Sequence, residues 1–580
     1  MAHRDLGLIL LSLCVPAVSG CGRPAPSQPA PAQGVVAPSP IDALQVPVDR
    51  DAQEARPGTS RFRDVAAAAG VTFSYYNGAK GRMHLRETMG GGIGMIDFDG
   101  DGRLDLYFTD GCDLPRDPQD RQHRGRLFRG HDAATFVDVT ESSGIVDFGY
   151  GQGCAVGDVD NDGFDDLIVT QFGGLALFVN QGDGTFREGT DHSGIHSPLW
   201  NTACAFGDLT GRGELDLFVT GYLDVGPSGE PICRDRRGNP AYCGPEHFPG
   251  QSFRLFQNGG DGTFADCSAD AGVVVPKSKG LAVTILDLDE DGRLDVFAVN
   301  DAEPARLFRN QGALRFEDVA MTAGVAYTAD GQIYNGMGIA TGDFDGDGRV
   351  DLGVSNFYEK GAVLFRNRGH GRFRDDSGAT GLGAATRPRL SFGLEFLDVD
   401  NDGWLDLFLA NGHISDLRAD GIPYGMRAQL FRNTGTGRWR EISATAGDYF
   451  ESERLGRGVA VGDLDNDGGT DIVVSHNAGP AAVLRNESPE RGHFLLVELV
   501  GTTSSRTAVG ARLTLTTPDR SLVRVLAGGG SYLSASDRRV LFGLGERDRV
   551  SALEVEWPSG HRDRWEQIPI DRIVRIAERQ

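Results

Sequence analysis

Aspartate recurs at a fixed spacing in this chain of 580 residues. The pattern Asp-x-Asp-x-Asp-Gly-x-x-Asp is complete at 97–105, 158–166, 287–295, 343–351, 398–406 and 463–471. Each copy brings four carboxylates to one turn. Two unit charges about 5 Å apart repel by roughly 3 kcal/mol at an effective dielectric near 20. A bound dication reverses that sign, and oxygen-only ligands at this spacing suit Ca²⁺ over zinc or copper. By analogy with the EF-hand loop, positions 1, 3 and 5 give side-chain oxygens, position 7 gives a backbone carbonyl, and Gly at position 6 allows the turn. Position 9 closes the shell.

The expected ligands in the first loop are Asp97, Asp99, Asp101, Arg103 and Asp105, and in the second Asp158, Asp160, Asp162, Phe164 and Asp166. Asp287, Asp289, Asp291, Arg293 and Asp295 form the third complete set, and Asp343, Asp345, Asp347, Arg349 and Asp351 the fourth. Asp398, Asp400, Asp402, Trp404 and Asp406, then Asp463, Asp465, Asp467, Gly469 and Asp471, complete six calcium sites. A damaged copy at 208–216 carries Thr210 and Arg212 at ligand positions. No metal is expected there, and the Arg212 guanidinium is expected between Asp208 and Asp216. Six ions add twelve positive charges and take the formal net charge from −25 to −13.

The elements that must hold these loops follow from the repeat. Each loop precedes a short apolar run, a Leu-Phe-x-Asn-like stretch and a Gly-rich turn ending in an aromatic residue such as Phe136, Phe186, Phe264, Phe316, Phe373 or Trp439. Units of three or four short strands with no room for a long helix predict a β-propeller with one sheet per blade. The seventh loop has no aromatic element behind it, whereas Arg61-Phe62-Arg63-Asp64-Val65 matches the missing copy. Residues 61–65 are therefore expected to supply the outer strand of the last of seven blades, closing the ring.

The repeat resembles the FG-GAP repeat of integrin α-subunit propellers, here over residues 61–488. Residues 489–577 lack aspartate loops and read as a small β-rich domain. Ser505-Arg-Thr-Ala-Val-Gly-Ala-Arg512, Phe542-Gly-Leu-Gly545 and Val555-Glu-Trp-Pro-Ser-Gly560 resemble the ASPIC/UnbV domain. That family usually has Asn where Ser505 stands. The fold class expected is all-β, a seven-bladed propeller followed by this domain. The resemblance implies calcium binding and extracellular placement, and brings no defined reaction.

The N-terminus reads as an export signal over 1–20, with Leu6 to Val18 as its apolar run. Val18-Ser-Gly-Cys21 resembles a bacterial lipobox with Cys21 as the lipidated residue, and the Pro-rich stretch 21–60 reads as a tether. An exported cell-envelope lipoprotein at the outer membrane or cell surface is expected, touching the membrane through its lipid only. Export permits disulfides, and Cys233 and Cys243, ten apart in one insertion, are expected to pair. Cys154, Cys204 and Cys267 are expected as free thiols. The acidic balance of 82 Asp and Glu against 57 Lys and Arg excludes nucleic acid as a partner.

No His-Glu-x-x-His, Gly-x-Ser-x-Gly or P-loop occurs. The chain is expected to bind a protein or carbohydrate ligand and not to be an enzyme. The alternatives are a scaffold docking another envelope protein or a calcium-dependent hydrolase or lyase. Strand parity puts the aspartate loops on one face and every long insertion (66–92, 110–126, 221–253, 410–428) on the other. Ligand anchors are expected there, with Tyr75, Tyr76, Trp200, Arg236, Tyr334 and His413 as candidates.

Overall fold

The computed structural model describes residues 61–580 apart from 118, 148, 227, 228, 236, 490 and 580. The signal segment, the tether with Cys21, and Arg236 lie outside the described residues. Among those described, seven antiparallel blade sheets follow one another, six of four strands and that of blade 4 with Gly528–Gly529 added as a fifth. Blade 1 comprises Ile93–Ile96, Asp105–Phe108, Arg126–His131 and Thr135–Asp138, paired in that order. The first strand of each blade packs beside the first strand of the next, and that of blade 7 (Gly456–Gly462) beside that of blade 1. The ring is closed. Phe62–Asp64 pairs with Gly479–Asn486 as the outer strand of blade 7, and Phe62 is fully buried there.

One-turn helices join several blades, such as Ala320–Ala323, ended by Gly324 in the left-handed region (φ 85°). A Cβ at Gly324 would stand 2.7 Å from the Phe373 carbonyl of the next blade, so glycine is required by both conformation and space. No described helix is long and apolar enough to cross a membrane.

The C-terminal part forms two further sheets. His493–Val500 lies between Val540–Gly545 and Arg572–Ala577, the latter parallel to it. Arg512–Thr516 lies between Ser521–Val525 and Ala552–Glu556, with Arg562–Glu566 at the edge. Alternating residues of both sheets, among them Leu495, Val497, Leu513, Leu553 and Trp565, make one core.

Between these sheets the chain leaves its own domain and enters the propeller's central channel. Gly528 and Gly529 pair with Ile285 and Thr284 of blade 4, and Ser531 pairs with Ile339 of blade 5. The Leu533 carbonyl accepts from Cys154 N of blade 2, and Ala535 N donates to the Ile93 carbonyl of blade 1. Asp537 N donates to the Val461 carbonyl of blade 7, while Ser536 Oγ donates to Glu395 of blade 6 at 2.9 Å. Gly528 lies so close to blade 3 that a Cβ would meet the Phe206 carbonyl at 2.0 Å. The inner strand edges, which an empty channel would leave unpaired, are thus hydrogen-bonded by this inserted segment.

Gly528→Ala should expel the segment from the channel, because the methyl would collide with the Phe206 carbonyl on one side and meet the Val509 side chain on the other. Limited trypsinolysis checks it: cleavage after Arg524 and Arg539, both nearly buried in the wild type, should become fast.

Candidate metal loops and the faces they separate

Each aspartate loop joins the first two strands of its blade and closes on its own first carboxylate. Asp97 Oδ1 accepts from Asp101 N (3.0 Å) and Oδ2 from Gly102 N (2.9 Å). The same two bonds recur at Asp158, Asp343, Asp398 and Asp463. Position 5 then accepts from the backbone N–H of position 7, as Asp101 does from Arg103 at 3.0 Å. Backbone N–H groups thus fix both side chains before any cation is considered.

The carboxylate at position 9 has a second structural task. Asp295 Oδ2 accepts from Leu288 N (3.2 Å) and Oδ1 from Asn310 N (2.9 Å), tying the loop to the end of the third strand. The Asn310 side-chain amide in turn donates to Leu294 O of its own loop and to Leu209 O in the loop of the preceding blade, both at 3.0 Å. Asn180, Asn258, Asn367 and Asn433 make the equivalent pair of bonds. The Asn of the Leu-Phe-x-Asn stretch is therefore a bolt between blades. It operates in the damaged third loop as well, where Asp216 accepts from Leu209 and Asn258.

Position 3 is where the loops offer unused oxygens. Asp99 Oδ1, Asp289 Oδ1, Asp400 Oδ1 and Asp465 Oδ1 are buried with no hydrogen-bond donor. Buried, unpartnered carboxylate oxygens are costly. Asp97, Asp99 and Asp101 each present an oxygen within 4.8 Å of the others, as do Asp287, Asp289 and Asp291, and Asp343, Asp345 and Asp347. In the second and sixth blades the clusters are Asp158, Asp160 and Asp166, and Asp398, Asp400 and Asp406. These donor sets fit a hard divalent cation. With no cation present, burial and the neighbouring carboxylates push Asp97 up to about 6 and Asp351 up to about 9.

The third loop differs from expectation in one respect. The Arg212 guanidinium does not sit between Asp208 and Asp216. It pairs with Glu214 (3.0 Å) and donates to the Asn258 carbonyl (2.7 Å) and to Thr210. Asp208 is already saturated by the backbone N–H groups of Gly211, Arg212 and Gly213, so the turn closes without a counter-charge.

The loop face is covered. Arginines of the C-terminal domain dock on the loops' backbone carbonyls: Arg520 on Asp402 (2.8 Å), Arg524 on Gly403 (3.3 Å), Arg539 on Asp463 (2.8 Å), and Arg512 on Gly348. A cavity of about 280 Å³ remains between this domain and the inner strands. Its acids Asp165 and Asp537 pair with Arg538 and Arg539, but Glu395 has only the Ser536 hydroxyl, and burial pushes its carboxyl up to about 8. Glu395 was not singled out in the sequence. The repeat itself carries the signal, since the six equivalent positions are Gly94, Ala155, Ala205, Thr284, Ala340 and Ala460.

On the opposite face the insertions interlock. Arg86 pairs with Glu230 (2.5 Å), Tyr242 with Glu87 (3.3 Å), and Arg237 with Asp420 (2.8 Å). Cys233 and Cys243 are disulfide-bonded with Cα atoms 5.1 Å apart, whereas Cys112, Cys154, Cys204 and Cys267 are free.

Four of the anchor residues proposed above are not surface residues. Tyr75, Trp200, Tyr334 and His413 are buried. Trp200 Nε1 donates to Gln152 (3.2 Å), Tyr334 Oη to the Val325 carbonyl (2.6 Å), and Ser415 N to His413 Nδ1 (3.0 Å). Long loops on this face need cores of their own, and these side chains supply them. Tyr76 is half-buried, stacked on His123 and hydrogen-bonded to Asp113.

A closed ring of seven aspartate-loop blades, capped by a β-rich domain, defines a repeat propeller. The FG-GAP-like repeat model matches residues 97–169, 158–219, 287–354, 343–409 and 398–474, more than half of the chain, and the ASPIC and UnbV model matches 501–580. The chain belongs to the FG-GAP-like repeat family and carries a C-terminal ASPIC and UnbV domain. It is 31% identical to cartilage acidic protein 1 of Mus musculus over 299 residues, 51% of this chain and 44% of that protein. The human protein is 31% identical over 302 residues, 51% and 43% respectively. The chain thus spans less than half the length of these relatives. Among solved structures, an Agrocybe aegerita lectin recognising non-reducing terminal N-acetylglucosamine matches 68% of this chain and 87% of its own at 18% identity, with a TM-score of 0.38. A rhamnogalacturonan lyase covers 68% and 89% at 12% identity and a TM-score of 0.27. At such scores neither informs the site.

Asn310→Ala should destabilise the protein by about 2–4 kcal/mol, because it strips the donor from two buried carbonyls at once. Denaturant unfolding of the variant against the wild type measures it, and a loss below about 1 kcal/mol would show that the inter-blade bolt is dispensable.

Proposed function

We propose that this chain is an exported, calcium-stabilised binding protein. It is held to a bacterial envelope by a lipid on Cys21 and receives a protein or carbohydrate ligand on the insertion face. It performs no catalysis. The observation that carries the reading is the division of the two faces: the C-terminal domain occupies the loop face and the channel, so the insertion face is the end left for a partner. The same docking weakens the scaffold reading, because the C-terminal domain spends its arginine surface on its own propeller. Calcium is the cation of choice because every ligand is oxygen and the sets are acidic and turn-borne. The ions would bind the six complete loops and not the third.

Two Pro- and Gly-bearing insertions, 221–253 and 410–428, give the face its exposed chemistry. Ile232 is 61% exposed, and the Arg237–Asp420 pair is open to solvent. With the buried tyrosines set aside, Tyr76, Ile232 and Arg237 are the anchors the geometry favours. Binding to glycan and extracellular-protein arrays should be lost in a variant carrying Ile232→Asp and Arg237→Glu, with melting unchanged. Binding retained in that variant but lost on substituting the loop face would move the site. Detergent-phase partitioning that is the same for wild type and Cys21→Ala would remove the anchor.

Calcium should raise the melting temperature. One site held at a hundred times its Kd contributes about 2.7 kcal/mol, so several sites move unfolding by many degrees between EGTA and millimolar calcium. Metal counting should find six ions. The pH dependence has a defined sign. Loop carboxylates whose folded pKa is raised, Asp97 to about 6 and Asp295 to about 8, bind more protons folded than unfolded. In EGTA the protein should therefore lose stability as pH rises from about 4 to 8. Calcium needs the deprotonated form, so the stabilisation it gives should grow over the same range. Flat melting curves with and without calcium at pH 8 would end the structural role of the metal.

A further inference from the structure

The six complete loops are alike in their aspartates and unlike in the arginines beside them. In four blades the third strand places a guanidinium against the position-3 carboxylate. Arg129 meets Asp99 at 2.5 Å, Arg366 meets Asp345 at 3.0 Å, Arg432 meets Asp400 at 2.5 Å, and Arg485 meets Asp465 at 3.5 Å. Each uses Oδ2. The other oxygen is the one left buried and unpartnered in Asp99, Asp400 and Asp465. The arginine therefore aims a ligand oxygen into the loop while placing a positive charge one carboxylate away from the cation.

The loops of blades 4 and 2 lack this arrangement, and that of blade 7 adds to it. In blade 4, Arg309 turns away to Glu317 (2.7 Å), leaving Asp289 without an ion pair among the described residues. In blade 2 the equivalent residue is Val179 and position 7 is Phe164, and among the described residues no arginine pairs with Asp158, Asp160, Asp162 or Asp166; Arg187 stands near Asp160 without pairing, and Arg538 pairs with Asp165 (3.2 Å), which is not a ligand position. Arg506 of the C-terminal domain lies over Gly163 there, bonded to no loop carboxylate. Blade 7 is the other extreme. Position 5 meets single arginine nitrogens in blades 1, 4, 5 and 6, Arg103 on Asp101, Arg293 on Asp291, Arg349 on Asp347 and Arg432 on Asp402, whereas in blade 7, besides Arg485 at position 3, the Arg491 fork takes both oxygens of Asp467 at 2.7 and 2.6 Å.

We propose that these guanidinium groups grade the six loops in cation affinity, so that the loop at 158–166 fills first and the loop at 463–471 last. Like charges separated by one carboxylate repel across a partly buried site, where screening by solvent is weak. Blade 7 adds a direct competition, since a cation seeking Asp467 must displace Arg491, which stands on the link to the C-terminal domain. The inference rests on the calcium reading above.

The test uses the full chain, with calcium and with terbium as probes. Native mass spectrometry at limiting calcium should show one tight step, which Asp160→Asn abolishes and Val179→Arg weakens about tenfold. Trp404, at position 7 of blade 6 with its ring against Gly346 of the blade 5 loop, sensitises terbium in both loops, and Arg432 pairs with the blade 6 loop alone. Arg432→Met should lower the terbium concentration for half-maximal Trp404-excited emission about tenfold. Val179 packs in the core, so if Val179→Arg fails to fold, Arg432→Met decides alone. Six equal steps, or Arg432→Met weakening terbium binding, would overturn the grading and make the guanidinium purely a positioning group. Absence of any bound ion would overturn the calcium reading and the grading with it.

Discussion

A single hydrogen-bonded unit holds this ring together: the carboxylate at position 9 and the asparagine that ends the third strand. The carboxylate accepts two backbone N–H groups, one from its own loop and one from the asparagine. The asparagine amide then donates to a carbonyl in each of two neighbouring loops. Elsewhere the blades meet through apolar faces and through inner-strand hydroxyls that donate to a neighbouring blade's carbonyl, such as Thr109 to Gln152 and Thr202 to Gly280. Because both partners are buried, failure of either leaves several orphaned polar groups, a penalty far larger than the net worth of the bonds. That asymmetry explains why the damaged loop of blade 3 keeps Asp216 and Asn258 although positions 3 and 5 have become Thr210 and Arg212. It also identifies the weak seam. Blade 1 has Gly130 where the others have asparagine, and there the ring is closed by the strand Phe62–Asp64 pairing into blade 7.

The C-terminal domain solves a second problem created by the ring. Seven inner strands present seven unpaired edges to the channel, and a segment with three consecutive glycines, Gly528 to Gly530, threads among them close enough to pair. A side chain at Gly528 or Gly529 would collide with the Phe206 or Val283 carbonyl. The domain's arginines meanwhile settle on loop carbonyls whose N–H groups point inward to the aspartates. Acidic loops and arginine-bearing cap are therefore complementary in charge even before any cation is counted.

Much of this was legible because repeats announce themselves. Spacing alone placed the loops, the seven blades and the closing role of Phe62, since a propeller unit cannot bury its faces without neighbours. The strands of the C-terminal domain were visible as well, at 493–500 and 521–526. Its insertion into the channel was not, because a glycine run reads the same whether it turns in solvent or passes between strands. The aromatic residues of the insertions misled for a related reason. A tyrosine such as Tyr334 suits a binding hot spot and a small loop core equally, and only its burial, with Oη on the Val325 carbonyl, separates the two. Glu395 carries no signal of its own, because it lies outside the aspartate motif. It stands three residues before Asp398, where the other blades carry Gly, Ala or Thr.

The placement of metal loops and insertions at opposite ends of each blade has a physical consequence. Loops at the first end vary little at the positions that bolt them, since in six of the seven blades an asparagine ties the loop to that of the preceding blade, so variation there would propagate around the ring. Links at the other end are tied to their neighbours near the strand ends, as Gly151 N to the Asp110 carbonyl and Ser391 N to the Asn356 carbonyl, and beyond those points can lengthen at an entropic cost that grows only slowly with loop length. The insertions then meet one another, through Arg86 and Glu230 and through Arg237 and Asp420, and are stapled by Cys233 and Cys243. Rigidity built at the acidic end is what allows the other end to vary, which is the arrangement expected of a scaffold whose specificity lies in its loops.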